Sequence, residues 1–250
     1  MVILKSLQEI EKIQRAGRLV AEVLEAMRQA VRPGVSTAVL DEQAEKIIRA
    51  SGAKPAFKGY RGYPRTLCTS INDQVIHGIP SKATILKEGD IVSIDVGTIV
   101  DGFYGDAAIT VPVGPISTAA GRLIRVTEEA LMRGIEAARP GNRLYDISAA
   151  VQEHVESHGY SVVREFVGHG IGRSLHEDPQ VPNFGERGRG PRLQAGMVLA
   201  IEPMVNMGGS KTVVTDDQWT AVTADGSLSA HFEHTIAILD DGPRILTLRQ

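Results

Sequence analysis

Apolar residues recur at helical spacing through residues 7–31, at Ile10, Ile13, Ala16, Leu19, Val20, Val23, Leu24 and Met27. That period predicts an amphipathic helix, and Arg32-Pro33-Gly34 stops it. A second helix begins at Ser36 or Thr37, carries Leu40, Ala44 and Ile47-Ile48, and ends near Gly52. Residues 53–64 read as loop, with Pro55, Gly59, Gly62 and Pro64 between Phe57, Tyr60 and Tyr63. A strand pattern covers Thr66–Ile71, a short apolar stretch ends at His77-Gly78-Ile79-Pro80, and residues 81–90 are a polar loop. Later in the chain, Ser117–Ala138 and Tyr145–His158 are helical. Tyr160–Phe166 is strand-like, Gly168–Gly172 a tight turn, and 177–195 a Pro/Gly-rich loop. Met197–Ile201 and His231–Leu239 are strands on either side of a polar excursion.

The stretch Ile91–Asp106, IVSIDVGTIVDGFYGD, organises the rest. Asp-Gly between two alternating apolar runs is a hairpin signal. Folded about Val100-Asp101, the hairpin sets Asp95 opposite Asp106, with Cβ atoms roughly 5 Å apart. Two carboxylates at that separation repel, and burying either alone is unfavourable. A shared proton or an intervening cation relieves both problems. Taken alone, the stretch reads as two solvated hairpin carboxylates. The remainder of the chain reverses that reading.

The halves repeat. Arg32-Pro33-Gly34 returns 107 positions later as Arg139-Pro140-Gly141, and Gly52 returns as Gly159 at the same offset. Leu86–Asp95 aligns with Leu193–Glu202, again 107 apart. Asp106-Ala-Ala-Ile109 aligns with Glu233-His-Thr-Ile236 at an offset of 127, so the second half carries about twenty inserted residues. Ordered matches at nearly constant offset indicate two helix-helix-strand copies, roughly 7–114 and 117–245, related by a pseudo-twofold axis within one domain spanning 1–250. Copies closing face to face leave a site between them.

Composition limits what that site serves. The chain has 250 residues, enough for one large domain or two small ones. It is 42% apolar and 23% charged, with net charge -3. There is no basic excess to meet phosphates, which argues against nucleic acid and membrane surfaces. No run approaches the ~20 apolar residues that span a bilayer, and residues 1–17 lack a signal-peptide core. The one cysteine, Cys68, excludes an internal disulfide and a zinc ribbon. These features indicate a soluble, cytoplasmic protein.

The repeat equates Asp95 with Glu202 and Asp106 with Glu233, so four carboxylates converge from two strand pairs. Two positions away on the same faces stand Ser93, Ala200, Ala108 and Thr235, all small. Four uncompensated carboxylates in one pocket oppose folding, and cations resolve this. His169, between Gly168 and Gly170, can approach closely and add a nitrogen. One imidazole and four carboxylates suit Mn(II), Fe(II), Co(II) or Zn(II) in a two-ion site better than a closed structural zinc.

The ordered set Asp95, Asp106, His169, Glu202 and Glu233 resembles the type I methionine aminopeptidases. The likeness runs through Ile76-His77-Gly78-Ile79-Pro80, Ser93-Ile-Asp95-Val-Gly97, Asp101-Gly-Phe-Tyr-Gly-Asp106, Val167-Gly-His169-Gly-Ile-Gly172, His176-Glu-Asp-Pro179, Ile201-Glu202-Pro203-Met204 and Phe232-Glu233-His234-Thr235. It implies an α+β pita-bread (creatinase/aminopeptidase) fold around a central antiparallel sheet. It implies two divalent ions, one held by Asp95, the other by His169 and Glu202, with Asp106 and Glu233 bridging. It implies that a hydroxide held between them attacks the first peptide carbonyl, with Glu202 aiding proton transfer. His77 and His176 are then substrate-binding, transition-state-stabilising imidazoles. Phe57, Tyr60, Tyr63, Cys68, Leu175 and Trp219 line the methionine pocket. Phe57 stands where a cysteine can occur, and Leu175 where a phenylalanine can, so both stay apolar while pocket shape changes. The substrate is the initiator methionine of nascent polypeptides whose second residue is small. Transient ribosome contact fits the family without a signature in this chain, and a monomer is the default expectation.

Other readings are weaker. Xaa-Pro aminopeptidases and prolidases share the metal site but usually carry a large N-terminal domain, for which Asp95 leaves no room. The type II enzymes carry a large helical insert, yet 32 residues separate His169 from Glu202 and 30 separate Glu202 from Glu233. Non-catalytic pita-bread modules typically lose ligands, and all five stand here. Gly168–Gly172 lacks dinucleotide-loop spacing. Cys68 has no histidine partner in sequence and reads as a pocket-wall thiol. His154 and His158 read as residues of a solvated helix face, while His231 and His234 flank a ligand and are open to a supporting role.

Overall fold

The computed structural model describes residues 2–249. Helix α1 (Leu7–Ala30) starts at a capping box, where the Ser6 side chain accepts from the Glu9 backbone and Glu9 reaches back to the Ser6 N–H. Its buried face contains all eight residues that the apolar period selects. The other helices are α2 (Thr37–Ala50), α3 (Thr118–Ala137, capped by the Ser117 hydroxyl) and α4 (Leu144–Ser157).

A nine-stranded antiparallel sheet occupies the centre. Its middle is the hairpin of Ile91–Val100 and Phe103–Pro112, followed by Glu233–Leu239, Val198–Ile201, Gly168–Gly170 and Glu177–Val181. Leu67–Ile71 pairs with the outer side of the hairpin. The halves join where Glu233 lies opposite Ala108 and His234 opposite Ala107. α1 lies against the hairpin and α3 packs on α4. Two small three-stranded sheets complete the fold, one of them joining Gln74–Ile76 to the insert strands Thr212–Val214 and Ala221–Thr223.

Three local expectations are corrected. The hairpin turns at Asp101-Gly102, both at positive φ (50° and 78°), and not at Val100-Asp101. Asp95 therefore faces Ala108, and Asp106 faces Gly97, two positions off the expected register. Gly168–Gly170 is a sheet strand and not a turn. Glu177–Val181, expected as loop, is the strand that pairs with it. A Cβ on Gly168 would meet the Ala200 carbonyl oxygen at 2.4 Å, and one on Gly170 that of Asp178 at 2.2 Å. The neighbouring strands approach so closely that only glycine fits on either side of His169.

Candidate metal centre

The corrected register arranges the acids in two rungs across one face of the sheet. In the first, Asp95 faces Ala108, and Ala108 faces Glu233. Because His234 pairs with Ile201, the register brings Glu202 to the far side of Glu233. In the second rung Gly97 faces Asp106. Across the join, the Thr235 hydroxyl donates to the Asp106 carbonyl at 2.7 Å and lies 3.1 Å from the Asp106 N–H. Thr235 pairs with Ala200, and Ala200 with His169. Residues two apart on a strand share a face, so both rungs point the same way. Gly97, Ala108, Ala200 and Thr235 are the small members that separate the ligand types.

The cluster is largely enclosed. Asp106, His169 and Glu233 are buried, and one ligand atom from each lies within 4.8 Å of the other two. Burial lifts the Asp95 carboxyl to about 7. Burial, followed by mutual repulsion, carries Asp106, Glu202 and Glu233 well above the usual carboxylate range. Asp95 Oδ1, Asp106 Oδ1 and Glu233 Oε1 are buried without a hydrogen-bond partner. Unsatisfied buried oxygens in one cluster are rare in folded proteins and call for an ion. His169 fits the same requirement. Its Nδ1 lies 2.9 Å from the Gly170 carbonyl oxygen, an acceptor, so Nδ1 carries the hydrogen and Nε2 keeps a lone pair. Burial, with neighbouring His176 next, lowers its pKa to about 3. The donor set of one neutral imidazole and four carboxylates fits one or two divalent ions of the Mn–Zn series.

One cavity of about 690 Å³, counting its open mouth, contains the metal-type side chains and all the other expected site residues. Phe57, Tyr63, Cys68 and Leu175 are buried in its apolar wall. The Tyr63 hydroxyl lies within reach of the Leu67 and Gly78 carbonyls, at 2.9 and 3.1 Å. Trp219 meets Tyr63 edge-on at 5.0 Å, and its loop is held by Asp217, which accepts from the Trp219 and Thr220 N–H groups at 2.8 Å. Cys68 pairs with Asp95 in the ladder. Burial first, then the Asp95 charge, pushes its thiol well up, opposite to what a nucleophile needs. His77 adopts φ 60°, unusual for a non-glycine residue, and its ring stands edge-on to Phe166 at 5.7 Å. Burial, then His176, lowers its pKa to about 4. His176 Nδ1 lies 2.8 Å from the Tyr60 hydroxyl, with its ring 4.3 Å from that of His169.

Some neighbours escaped the sequence reading. Arg61, at the cavity rim, lies over the Tyr60 ring at 5.4 Å. Lys5 Nζ, 2.5 Å from Glu177, forms an ion pair with almost no exposed side chain. Glu177 also accepts from the Arg173 and Ser174 N–H groups at 2.8 and 3.1 Å, tying down the loop that carries Leu175 and His176. The open question over His231 and His234 divides: His231 is buried with Nε2 3.8 Å from Glu202, whereas His234 faces away and meets the Thr247 hydroxyl at 2.8 Å. His154 and His158 are half-buried, against the expectation of a solvated face.

An antiparallel sheet formed from two halves, with carboxylates from both and an imidazole on its inner face, is the arrangement of a metallopeptidase. The model of metallopeptidase family M24 matches residues 11–240, and the chain belongs to that family. A methionine aminopeptidase of Clostridium perfringens is 58% identical over 248 residues, 99% of each chain. The crystal structure of the methionine aminopeptidase of Thermotoga maritima superposes with a TM-score of 0.98 at 49% identity, covering 100% of both chains. Within the family the chain falls in the type I methionine aminopeptidase branch. The prolidase of Pyrococcus horikoshii shares the pita-bread fold, with a TM-score of 0.80 at 24% identity, and this chain spans 65% of its length.

Proposed function

We propose that the protein removes the N-terminal methionine of polypeptides whose second residue is small, acting as one catalytic unit built from both halves. The observation that carries this reading is the buried face on which Asp95, Asp106, Glu202, Glu233 and His169 meet with unsatisfied oxygens, beside an apolar wall. Those five residues would hold two divalent ions of the Mn, Fe, Co or Zn class. When bound, such ions supply Lewis acidity and lower the pKa of a coordinated water from 15.7 towards ~7.

The chain's own groups supply the remainder. Glu202, with oxygens near both His169 and His231, accepts a proton from the attacking water and delivers it to the departing amine. His176, receiving the Tyr60 hydroxyl at Nδ1, presents Nε2–H as a donor to the substrate carbonyl oxygen. His77, kept neutral by burial, binds the substrate in the same cavity. The methionine thioether packs among Phe57, Tyr60, Tyr63, Cys68, Leu175 and Trp219, where a polarisable sulfur beside aromatic edges is favoured. A free α-amine is attracted by the carboxylate floor, and an internal residue has none to offer, which accounts for exopeptidase action.

The substrates would be nascent polypeptide N-termini in the cytoplasm, met by a monomer in transient contact with the ribosome. Among the described residues no helix is long and apolar enough to cross a membrane. Hydrolysis of Met-Ala-Ser set against Ala-Pro-type peptides, with and without chelator, tests the reading. Chelator-sensitive cleavage of the methionyl peptide supports it, and cleavage of only the proline peptide overturns it.

A further inference from the structure

Helices α3 and α4 bring together a second group of metal-type side chains, none of which lines the catalytic cavity. Glu129 stands on α3. His154 lies in the last turn of α4, and His158 is its C-cap, four positions on. Residues four apart project from one side of a helix, and the two imidazole centroids are 4.6 Å apart. His154 Nε2 lies 3.2 Å from Glu129 Oε2. One ligand atom from each of the three residues falls within 4.8 Å of the others.

The hydrogen bonding leaves His158 ready to coordinate. Its Nδ1 is 2.8 Å from the His154 carbonyl oxygen, which only accepts, so Nδ1 carries the hydrogen and Nε2 is a bare lone pair. Orientation of a ligand imidazole by a backbone carbonyl is the usual support for a metal-bound histidine. With metal–nitrogen bonds near 2.0 Å, neighbouring ligand atoms of a tetrahedral site are about 3.3 Å apart. The 3.2 Å contact already meets that spacing.

We propose that Glu129, His154 and His158 form a separate, surface site for a zinc-class divalent ion, with water completing the coordination. Two imidazoles and one carboxylate select Zn(II), Ni(II) or Cu(II) over Mg(II) or Ca(II). Arg125 Nε, 3.9 Å from Glu129 Oε1, and Arg122, which donates to the His158 carbonyl oxygen at 3.1 Å, add positive charge that weakens the affinity for a cation. A bound ion clamps the end of α4 to α3 and stabilises that packed pair by mass action. The site is independent of the catalytic reading.

Equilibrium dialysis against micromolar free zinc, followed by elemental analysis, tests this on three proteins: wild type, His154→Ala/His158→Ala, and Glu129→Gln. Wild type should retain about one zinc per chain more than the double variant. Glu129→Gln should weaken that ion by at least the roughly 10–100-fold that loss of a supporting partner costs a metal site. Melting measured with and without zinc should show a rise in wild type that is smaller in the double variant, while cleavage of Met-Ala-Ser stays unchanged in all three. Equal zinc content in all three proteins overturns the proposal, as does a zinc-dependent melting shift that survives both alanines.

Discussion

Asp95 and Asp106 ride on two ten-residue strands joined by a two-residue turn, whereas Glu202 and Glu233 stand 31 positions apart with an excursion of small strands between them. The first pair is fixed by continuous backbone pairing. The second pair reaches the same face only because Glu233–Leu239 bridges the halves. The intervening chain, released from the ladder, carries Trp219 over the cavity. His176 sits on the short connection between two paired strands, where Glu177 is held both by the ladder to Gly170 and by the Lys5 ion pair. Backbone ladders thus set the floor of the site, and loop segments tied down by side-chain contacts supply much of its wall. A floor built this way specifies chemistry, and a wall built this way is free to specify substrate.

Changes to the floor should abolish the reaction. Asp106→Asn is expected to lower kcat by about a thousandfold or more, about 4 kcal/mol of barrier, and to reduce metal content per chain. Retained activity would break the division. Metal removal sharpens it. Asp95 has a folded pKa raised to about 7, so in chelated protein its contribution to stability is full below about pH 4 and is lost as pH rises through about 7. Relative to Asp95→Asn, which carries the same buried histidines, chelated wild type should therefore denature more readily at pH 8 than at pH 5. Restored Mn(II) or Co(II) should oppose that trend, because ligands bind ions in their deprotonated form. A flat pH response in urea titrations would sink the point.

At the wall, Lys5→Met leaves Glu177 buried without its cation. It should cost about 3 kcal/mol of stability and reduce kcat through the displaced His176 loop, whereas Lys5→Met/Glu177→Gln should recover part of both. Trp219→Ala should lower kcat/KM for methionyl peptides about tenfold with metal content unchanged. A loss of metal would show that wall and floor are not separate. The smallest effect is expected at the turn. Gly102→Ala, at φ 78°, should destabilise by about 1 kcal/mol and leave substrate preference untouched.

The floor was legible in the sequence because strand parity and the internal repeat both act on position. Acids at matched repeat positions with small residues two places away leave few arrangements open. The register still came out two positions wrong. An apolar Val100 beside Asp101 looks as though it can share the turn, yet two successive positive φ values belong at Asp101 and Gly102. Parity, applied further, separates His234 from its neighbour: a residue next to Glu233 on a strand must face the other side. Gly168–Gly172 looked like a turn because its glycines answer to crowding from adjacent strands and not to chain reversal. Lys5 and Glu177 lie 172 positions apart, and nothing local in the chain announces such a pair. Arg61 is equally silent, since a loop residue at a rim has no periodicity to betray it.

Ala108 touches no reaction, yet it is the shared neighbour of Asp95 and Glu233 on adjoining strands. A bulkier residue there would intrude on the volume between two acids without altering any of the five candidate ligands. A relative with every ligand intact and valine or leucine at this place should be inert. Ala108→Leu, tested for metal content and for cleavage of Met-Ala-Ser, reads that spacing directly.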